Sequence, residues 1–574
     1  TAIGAFSLAA NTTGRYNTGL GKGTLEANTT ADSNTAVGTN AMQSNTTGQY
    51  NVAVGDGALD ANTTASGNNA VGRAALGANT TGASNVAMGQ QALTTNTTGS
   101  NNTAIGHVAL GDNTTADDNT AVGYLALNAN TTGHSNTAVG KSALVANTEG
   151  DYNTAVGIRA LEDNTTGSRN TGVGRLSIGN NTTGNYNTGV GYSSLAVNTT
   201  ADRNTALGYG ALAVNTTGVQ NTAVGADSLD AVTTGNNNVG IGRDAGGALT
   251  TGNSNVAISV NALGVGTTAA ANIAIGQDTL YNNTADYNTA IGHNAGVANT
   301  SGASMVAVGA FALDANTTGD ANVGVGQNAV GTNTTGSQNT GIGHRALRDN
   351  TTASSNTAVG YDSLKVNTTG TENTAIGNNA GVAITSGDQN SIVGASAMQT
   401  ATTGQGNAVL GHYAGYGLTT GSYNVAIGRR ALMGTCTGTF NIALGYEAMQ
   451  AITSGSENIC MGRDSGHDVT SAQQNVAIGH ESMTKNQTGT GNVAVGFQAL
   501  EKSTGGGNTA VGYKAGETNE GGVFNVFIGE TTVGTHPSHS QAIAIGRNID
   551  AAPGEVAIGT SGLGKIHCTF SSNA

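Results

Sequence analysis

The sequence is poor in most of the residues that build an ordinary globular core. Its 574 residues include 2 prolines, 3 cysteines and no tryptophan, and only 4% are aromatic and 9% charged. An average globular domain is about 25% charged, and side chains this small cannot fill a wide core. Collagen is excluded because proline is scarce and glycine does not occupy every third position. Disorder is disfavoured, since disordered chains are rich in charge and poor in β-branched residues.

The missing features also narrow the classes of function. A net charge of −14 leaves no basic surface for nucleic acid or anionic lipid. The sequence has no run of 18 apolar residues, so we expect no membrane insertion. Cys436, Cys460 and Cys568 are too few and too scattered for a disulfide framework. The chain begins Thr-Ala-Ile-Gly, without methionine or a signal segment, and we expect it to be a fragment or a trimmed chain.

Glycine is abundant and follows an internal repeat. The 90 glycines include a column spaced by 17 residues that starts at Gly4 and includes Gly38 and Gly55. The column reaches Gly546 after two one-residue deletions, and it defines 33 units of which only the one at Ser259 lacks the glycine. The consensus of a unit is N-T-A-V-G-x-x-A-L-x-x-N-T-T-G-x-x.

A unit of this length fits one coil of a parallel β-solenoid. N-T-A-V-G predicts a five-residue strand, A-L a second extended segment, and N-T-T-G a turn in which Asn and Gly take positive φ. Helix is disfavoured because Gly, Asn and Thr recur throughout. Stacked coils would satisfy each other's backbone groups at about 4.8 Å, giving a rod about 160 Å long. We predict an all-β fold with a repeat shaft over residues 1–529 and irregular coils with a cap over residues 530–574.

Stacking places like residues in columns. We predict two asparagine ladders in which each amide bonds to the next coil and to turn carbonyls, since an unpaired buried amide costs about 1–3 kcal/mol. Val54 and Leu59 represent the two apolar columns that we expect to fill the dry interior. The predicted ladder residues are Asn17, Asn34, Asn51 and Asn68 in the leading column and Asn28, Asn45 and Asn62 in the N-T-T column.

The small apolar content of a coil favours association of chains. Two large and two small apolar side chains per coil are little against an ordering cost of about 1 kcal/mol per residue. We therefore expect a homotrimer in which Leu59 and its equivalents face a common axis; a single solenoid held by its hydrogen bonds is the alternative. Where glycine replaces this leucine, either the chains approach more closely or neighbouring side chains fill the space. These glycines are Gly246, Gly296, Gly381, Gly415, Gly466 and Gly516.

The repeat resembles known fibrous proteins. N-T-A-V-G-x-x-A-L is similar to the A-I-G-x-x-A-x-A repeat of trimeric autotransporter adhesin heads, and to segments of phage tail fibres. The resemblance covers about residues 1–560, although the usual adhesin unit is shorter. It implies left-handed parallel β-rolls that associate as trimers.

The last 19 residues carry a second resemblance. V-A-I-G-T-S-G-L-G-K-I-H-C-T-F-S-S-N-A, from Val556 to Ala574, is similar to the segment that precedes the self-cleaving intramolecular chaperone of phage tail fibres and tailspikes. In that family the chaperone trimerises the fibre and then cuts itself off at a serine. The resemblance implies that Ala574 is a processed C-terminus and that the catalytic serine lies in the departed domain. Alternatively, residues 565–570 form a capping strand over the open solenoid end.

No motif favours catalysis, a metal or a cofactor. His536 and His539 suggest a polar loop, and His567 and Cys568, as strand neighbours, should point to opposite faces. The aspartates ahead of N-T-T lack the calcium-binding nonapeptide pattern. Six further histidines fall at variable turn positions, with no carboxylate or second histidine beside them at ligand spacing. They are His107, His134, His293, His344, His412 and His480.

The N-T-T triplets and the threonine columns each suggest a further function. N-T-T occurs 16 times and matches the N-glycosylation pattern, but a structural role needs the same asparagines, and we favour that role. The threonine columns suggest an ice-binding solenoid, yet the two adjacent threonines of N-T-T should point to opposite faces.

These observations favour a non-enzymatic extracellular fibre. We expect a virion tail fibre or related appendage that associates with itself and binds a host cell-surface glycan or protein receptor. The alternatives are a cellular surface adhesin or extracellular structural filament, and an ice-binding solenoid.

Overall fold

The computed structural model, which describes residues 1–562 and 564–569, confirms the β-solenoid. Strands and turns make up the described chain, and no described residue is helical. The chain divides into two compact units, Thr1–Tyr287 and Asn288–Ala574, and each is a stack of coils that are mostly 17 residues long. The expected processed C-terminus at Ala574 lies outside the described residues.

The first unit contains one strand per coil, and each strand pairs in parallel with the next. Equivalent residues face each other in register, as in Val54 opposite Val71. At about 4.8 Å per strand, this stack extends on the order of 80 Å. Its strands are β1 Ala2–Ile3, β2 Thr18–Leu20, β3 Thr35–Val37, β4 Val52–Val54, β5 Asn69–Val71, β6 Val86–Met88, β7 Thr103–Ile105, β8 Thr120–Val122, β9 Thr137–Val139, β10 Thr154–Val156, β11 Thr171–Val173, β12 Thr188–Val190, β13 Thr205–Leu207, β14 Thr222–Val224, β15 Val239–Ile241, β16 Val256–Ile258 and β17 Ile273–Ile275.

The second unit continues the pattern and then changes near its end. There β33 pairs in parallel with β35, outside the main sheet, and β37 adds to β36 in antiparallel fashion. This antiparallel strand ends the run of parallel pairing, as expected of a strand that covers a last coil. The strands are β18 Thr289–Ile291, β19 Val306–Val308, β20 Val323–Val325, β21 Thr340–Ile342, β22 Thr357–Val359, β23 Thr374–Ile376, β24 Ser391–Val393, β25 Ala408–Leu410, β26 Val425–Ile427, β27 Ile442–Leu444, β28 Ile459–Met461, β29 Val476–Ile478, β30 Val493–Val495, β31 Thr509–Val511, β32 Val526–Ile528, β33 Val533–Gly534, β34 Ile543–Arg547, β35 Asp550–Ala551, β36 Glu555–Thr560 and β37 Gly564–Thr569.

The strands of the regular coils are shorter than the five residues that the sequence predicts. Only T-A-V or its equivalent is extended, as in Thr35–Val37, with the flanking asparagine and glycine outside the strand. The reason lies in Gly38, whose φ of +128° turns the chain immediately after the valine.

The A-L segment is not extended, and this prediction is wrong. Leu59 has a φ of +53°, in the left-handed region. The segment is a series of turns whose backbone groups bond to neighbouring coils, as when the Leu59 N–H donates to the Ala75 carbonyl at 3.0 Å. The N-T-T-G turn also differs from its prediction, because positive φ falls on the residue before the leading asparagine, such as Tyr50 at +58°, and not on Asn45 or Gly48.

Alanine and leucine fill the interior. The prediction that the valine column also lies there is wrong. Ala53 and Leu59 are completely buried, whereas Val54 is partly exposed on the outer face of the sheet. Alternation along the strand explains this, since the residue between two outward side chains must point inward. Leu59 is buried within its own chain, so the prediction that it faces a trimer axis is also wrong.

Glycine in place of the buried leucine is compensated within the same chain. A Cβ atom on Gly246 would lie 2.6 Å from Leu229 Cδ2 and 3.1 Å from Leu249 Cδ1. Leu249 stands where most coils have the N-T-T asparagine. Neighbouring side chains therefore occupy the space that the missing leucine would fill, which is the second of the two expectations.

Candidate functional site

The leading asparagine of each coil lies inside the stack and links three coils. The Asn51 backbone N–H donates to Asn34 Oδ1 at 3.0 Å, and its Nδ2 donates to the Ala65 carbonyl at 2.9 Å. Asn51 Oδ1 in turn accepts the Asn68 backbone N–H at 2.8 Å. Asn34, Asn51 and Asn68 are completely buried, and Asn17 is 6% exposed. They form the ladder that the sequence predicts.

The N-T-T asparagines form a second ladder. Asn45 Nδ2 donates to Asn28 Oδ1 and to the Gly48 carbonyl, both at 3.0 Å, and Asn62 Nδ2 donates to Asn45 Oδ1 at 2.8 Å. The same amide bond repeats in every coil as far as Asn215. The next coil has Val232 in this column, and Asn215 Oδ1 is left without a hydrogen-bond partner.

Burial of this second ladder bears on N-glycosylation. Asn28, Asn45 and Asn62 are completely buried, and their amide nitrogens, which would carry a sugar, already donate two hydrogen bonds each. In the folded chain these asparagines are therefore structural residues and are not accessible to a glycan.

The glycine column is required by close contact between coils. Gly38 has a φ of +128°, and a Cβ atom there would lie 2.5 Å from the Gly55 carbonyl oxygen. Gly55, with a φ of +144°, would meet the Gly72 carbonyl in the same way. At Gly38 and Gly55 each coil thus passes so close to the next that a side chain would have no room; Ser259 is the exception in this column, with a φ of +105°.

The outer face of the sheet is a stripe of threonine and β-branched apolar residues. Each strand turns its first and third side chains outward, as in Thr35 and Val37, and buries the middle one. In the three-residue strands β2 to β32 the third position is Val, Ile, Leu or Met, and several of these side chains are well exposed, such as Leu207 at 47% and Leu410 at 50%. A contiguous exposed apolar surface of this kind is typical of an interaction site.

The column after the glycine carries aromatic and cationic side chains that stack from coil to coil. Tyr192 and Tyr209 lie with ring centroids 5.5 Å apart and an interplanar angle of 11°, and the Arg175 guanidinium is 5.6 Å from the Tyr192 ring. The His344 and Tyr361 rings are stacked at 5.3 Å. The rings thus stack on rings or cations of neighbouring coils. This stacking gives some of the histidines that the sequence places at turns a structural role.

One group of titratable side chains was missed by the sequence analysis. Glu447, Asp464 and His467 offer ligand atoms that all lie within 4.8 Å of one another, and Asp464, His480 and Glu481 form a second such group. Of the six histidines that we expected to lack a carboxylate at ligand spacing, His480 has one, since its Nε2 is 3.4 Å from Glu481 Oε1. The signal was present in the sequence, because Glu447, Asp464 and Glu481 are spaced by 17 and so occupy one column.

Three further titratable side chains have pKa values that burial raises. Burial raises the pKa of the Cys436 thiol to about 11 and that of Cys460 to about 12, so both are protonated and poor nucleophiles at neutral pH. Burial also raises the pKa of Asp60 above its usual value, in an open groove that it shares with Asp56 and Arg73.

His536 and His539, the two histidines of the predicted polar loop, form hydrogen bonds within that loop. Their rings lie 5.4 Å apart, while His536 Nδ1 is 3.0 Å from Ser538 Oγ and His539 Nδ1 is 2.7 Å from Thr535 Oγ1. Each Nδ1 is thus engaged by a nearby hydroxyl.

Comparison with known proteins adds no relative. No protein-family model matches the chain, and a search of curated proteins finds no match either. Within the described ranges, no helix is long and apolar enough to cross a membrane.

Proposed function

We propose that the chain is a structural, non-enzymatic part of an extracellular fibre, in a virion tail or related appendage that attaches to a host surface. The observation that carries this proposal is the use of interior polar groups. The hydrogen bonds of Asn51, Asn62 and their equivalents join one coil to the next. Proteins of this kind behave as one-dimensional stacks in which added repeats lengthen the structure without changing its cross-section. That property suits a spacer.

The resemblance of the repeat to adhesin heads and tail fibres supports the same assignment. Side chains in the turns vary from coil to coil around an interior that keeps the leading asparagine ladder, and exposed rings such as Tyr50 and Tyr209 offer contact surface for a host glycan or protein receptor. Labelling with antibodies against the chain tests the setting: we expect gold particles on virion fibres. Label on the surface of uninfected cells would instead support a cellular adhesin, and label on neither would contradict both.

A homotrimer remains part of this proposal, with the contact moved from Leu59 to the outer stripe. Packing the outer stripes of three chains against one another would bury the exposed apolar column represented by Val54, Val71 and Met88. Sedimentation equilibrium of the purified chain should give three times the monomer mass. Lysine at all three positions should yield monomers with an unchanged circular dichroism spectrum, whereas a wild-type monomer would refute the trimer.

The outer stripe also favours ice binding as a second candidate. The threonines of N-T-T do not form a flat array, but the strands β7 to β14 present Thr at their first position and an apolar residue at their third, side by side on one sheet face. Thermal hysteresis measured on the purified chain checks this directly. Freezing and melting points that coincide at millimolar concentration would eliminate it.

A further inference from the structure

A cluster of histidines and carboxylates in the second unit offers the ligands of a transition-metal site. Glu447 and Asp464 lie at equivalent positions of successive coils, and His467 Nε2 is 3.9 Å from Glu447 Oε2. The three side chains are largely buried, with 16%, 16% and 28% of their surface exposed. Bonds from Zn²⁺ to nitrogen and oxygen are about 2.0–2.2 Å long, so small side-chain rotations would bring these atoms onto one ion.

His467 is already oriented as metal-binding histidines are. Its Nδ1 lies 2.6 Å from Asp468 Oδ1, and the other oxygen of Asp468 accepts a hydrogen bond from Lys485 at 2.8 Å. A carboxylate on one ring nitrogen fixes the tautomer and leaves the lone pair of the other nitrogen for a metal. In the neutral ring that lone pair would face a Glu447 oxygen, and either a metal ion or a proton between the two atoms would remove their repulsion.

The neighbouring histidine gives an independent sign of a cation. His480 Nε2 is buried and has no hydrogen-bond partner, although it lies 4.0 Å from Asp464 Oδ2 and 3.4 Å from Glu481 Oε1. His480 Nε2 thus lies near Asp464, the carboxylate that the two groups share.

The arginines nearby leave room for an ion. Arg430 donates to Glu447 Oε1 at 3.0 Å, which leaves Oε2 directed at His467. Arg463 donates to Asp464 Oδ2 at 3.0 Å. An arginine thus holds one oxygen of each carboxylate, and Tyr446 also hydrogen-bonds Glu447, so a metal would share Glu447 with these two side chains.

We propose that Glu447, Asp464 and His467 bind one divalent transition-metal ion that links two successive coils. Imidazole combined with carboxylate favours Zn²⁺ over Ca²⁺ or Mg²⁺, which prefer oxygen ligands alone. Three protein ligands leave a fourth position for water. This assignment does not depend on the fibre function.

Zinc titration of the full chain tests the proposal. After treatment with a chelator, the chain should take up one Zn²⁺ in competition with a chromophoric chelator, and the ion should raise the melting temperature. His467→Gln and Glu447→Gln should each weaken binding at least tenfold. His107→Gln should bind as the wild type does, because His107 stacks on Tyr124 away from any such cluster.

Three results would contradict the zinc assignment. Equal zinc binding by the wild type and His467→Gln would overturn it, as would a loss confined to His480→Gln, which would move the ion to the neighbouring group. X-ray absorption at the zinc edge should show a single imidazole nitrogen and oxygen neighbours; an all-oxygen shell would contradict the role of His467. Circular dichroism establishes that each variant is folded, and if one of the two variants is not, the other carries the test.

Discussion

Two regions of the solenoid fill the same interior column with side chains of different polarity, amides in one and apolar groups in the other. In the Asn segment, Asn28 to Asn215 of the first unit, the column is an unbroken series of hydrogen-bonded amides. In the apolar segment, Ile384 to Val469 of the second unit, the same column holds apolar side chains and Cys436, which lies one residue beyond the regular spacing and forms a parallel bridge with Leu418. These are Ile384, Ala401, Leu418, Cys436, Ile452 and Val469, and all are completely buried.

The leading ladder is common to both regions. In the apolar segment the Asn424 backbone N–H donates to Asn407 Oδ1 at 2.9 Å, and Asn424 Nδ2 donates to the Gly438 carbonyl at 3.0 Å. These bonds match those of Asn51 in the first unit. The comparison indicates that the leading ladder is common to both regions, with Met305 and Ala542 as interruptions, and that the second column needs only to be filled and internally satisfied.

In three coils of the apolar segment volume is exchanged between two columns, whereas in another coil Met449 and Ile452 fill both. Where Leu418 replaces asparagine, Gly415 replaces the buried leucine, and a Cβ atom on Gly415 would lie 2.8 Å from Leu418 Cδ1. Gly381 and Ile384 form a similar pair, with Ile384 Cδ1 at 3.0 Å from such a Cβ. The large apolar side chain has moved three residues along the coil while the interior stays packed.

The largest effect is expected where the two regions agree. Asn51→Ala would leave the Asn68 N–H unpaired and remove one of the two donors to the Ala65 carbonyl, which keeps Asn62 Nδ2, at about 2–4 kcal/mol in all. Asn424→Ala should cost a similar amount, because it leaves the Asn441 N–H unpaired and the Gly438 carbonyl with only the Cys436 thiol, at 3.8 Å. Hydrogen exchange resolved by peptide measures both. If only one region loosened, the leading ladder would not be the common requirement.

A double-mutant cycle tests the exchange of volume. Asn62→Leu in the Asn segment should destabilise by about 3 kcal/mol, because it overpacks against Leu59 and breaks the ladder. Leu59→Gly alone opens a cavity of comparable cost. Together they copy the Gly415–Leu418 pair, so we expect a favourable coupling of about 2 kcal/mol in urea unfolding. Strict additivity of the two single changes would show that the columns are independent.

Much of this architecture could be predicted from the period alone. A spacing of 17 with asparagine and glycine in fixed columns indicates stacked coils, since only stacking makes like residues neighbours. The direction of the strand side chains could not be predicted in this way. Val54 is larger and more apolar than Ala53, yet Ala53 is inside, because Leu59 takes the large interior position from a turn with positive φ.

The histidine cluster escaped prediction for a different reason. Ligand spacing was sought between near neighbours in the chain, while Glu447, Asp464 and Glu481 are one coil apart and meet only through stacking. Once the register is known, columns can be searched for ligands as helix faces are.

Alkaline pH should separate the two regions, because both buried thiols lie in the apolar segment. The pKa of Cys436 rises from 9.0 to about 11 on folding, and that of Cys460 from 9.0 to about 12. Their stabilising contribution is complete below pH 9 and is lost as pH rises through these values, by about 1.4 kcal/mol per thiol at one pH unit above 9. Peptide-resolved exchange at pH 10 should show earlier opening of the apolar segment. Cys436→Ala with Cys460→Ala should remove that difference, and its persistence would exclude the thiols as the cause.

The smallest effect is expected at the boundary between the two chemistries, where Asn215 Oδ1 has no partner and Val232 follows in the next coil. Val232→Asn would supply the missing donor, but its own oxygen would then face Leu249, so the unpaired acceptor moves by one coil. We expect a net change below about 1 kcal/mol. Val232→Asp has the same shape without the donor and buries a charge, so its melting temperature should fall much further. Equal losses for the two variants would mean that the ladder ends at Asn215 for a reason other than its missing donor.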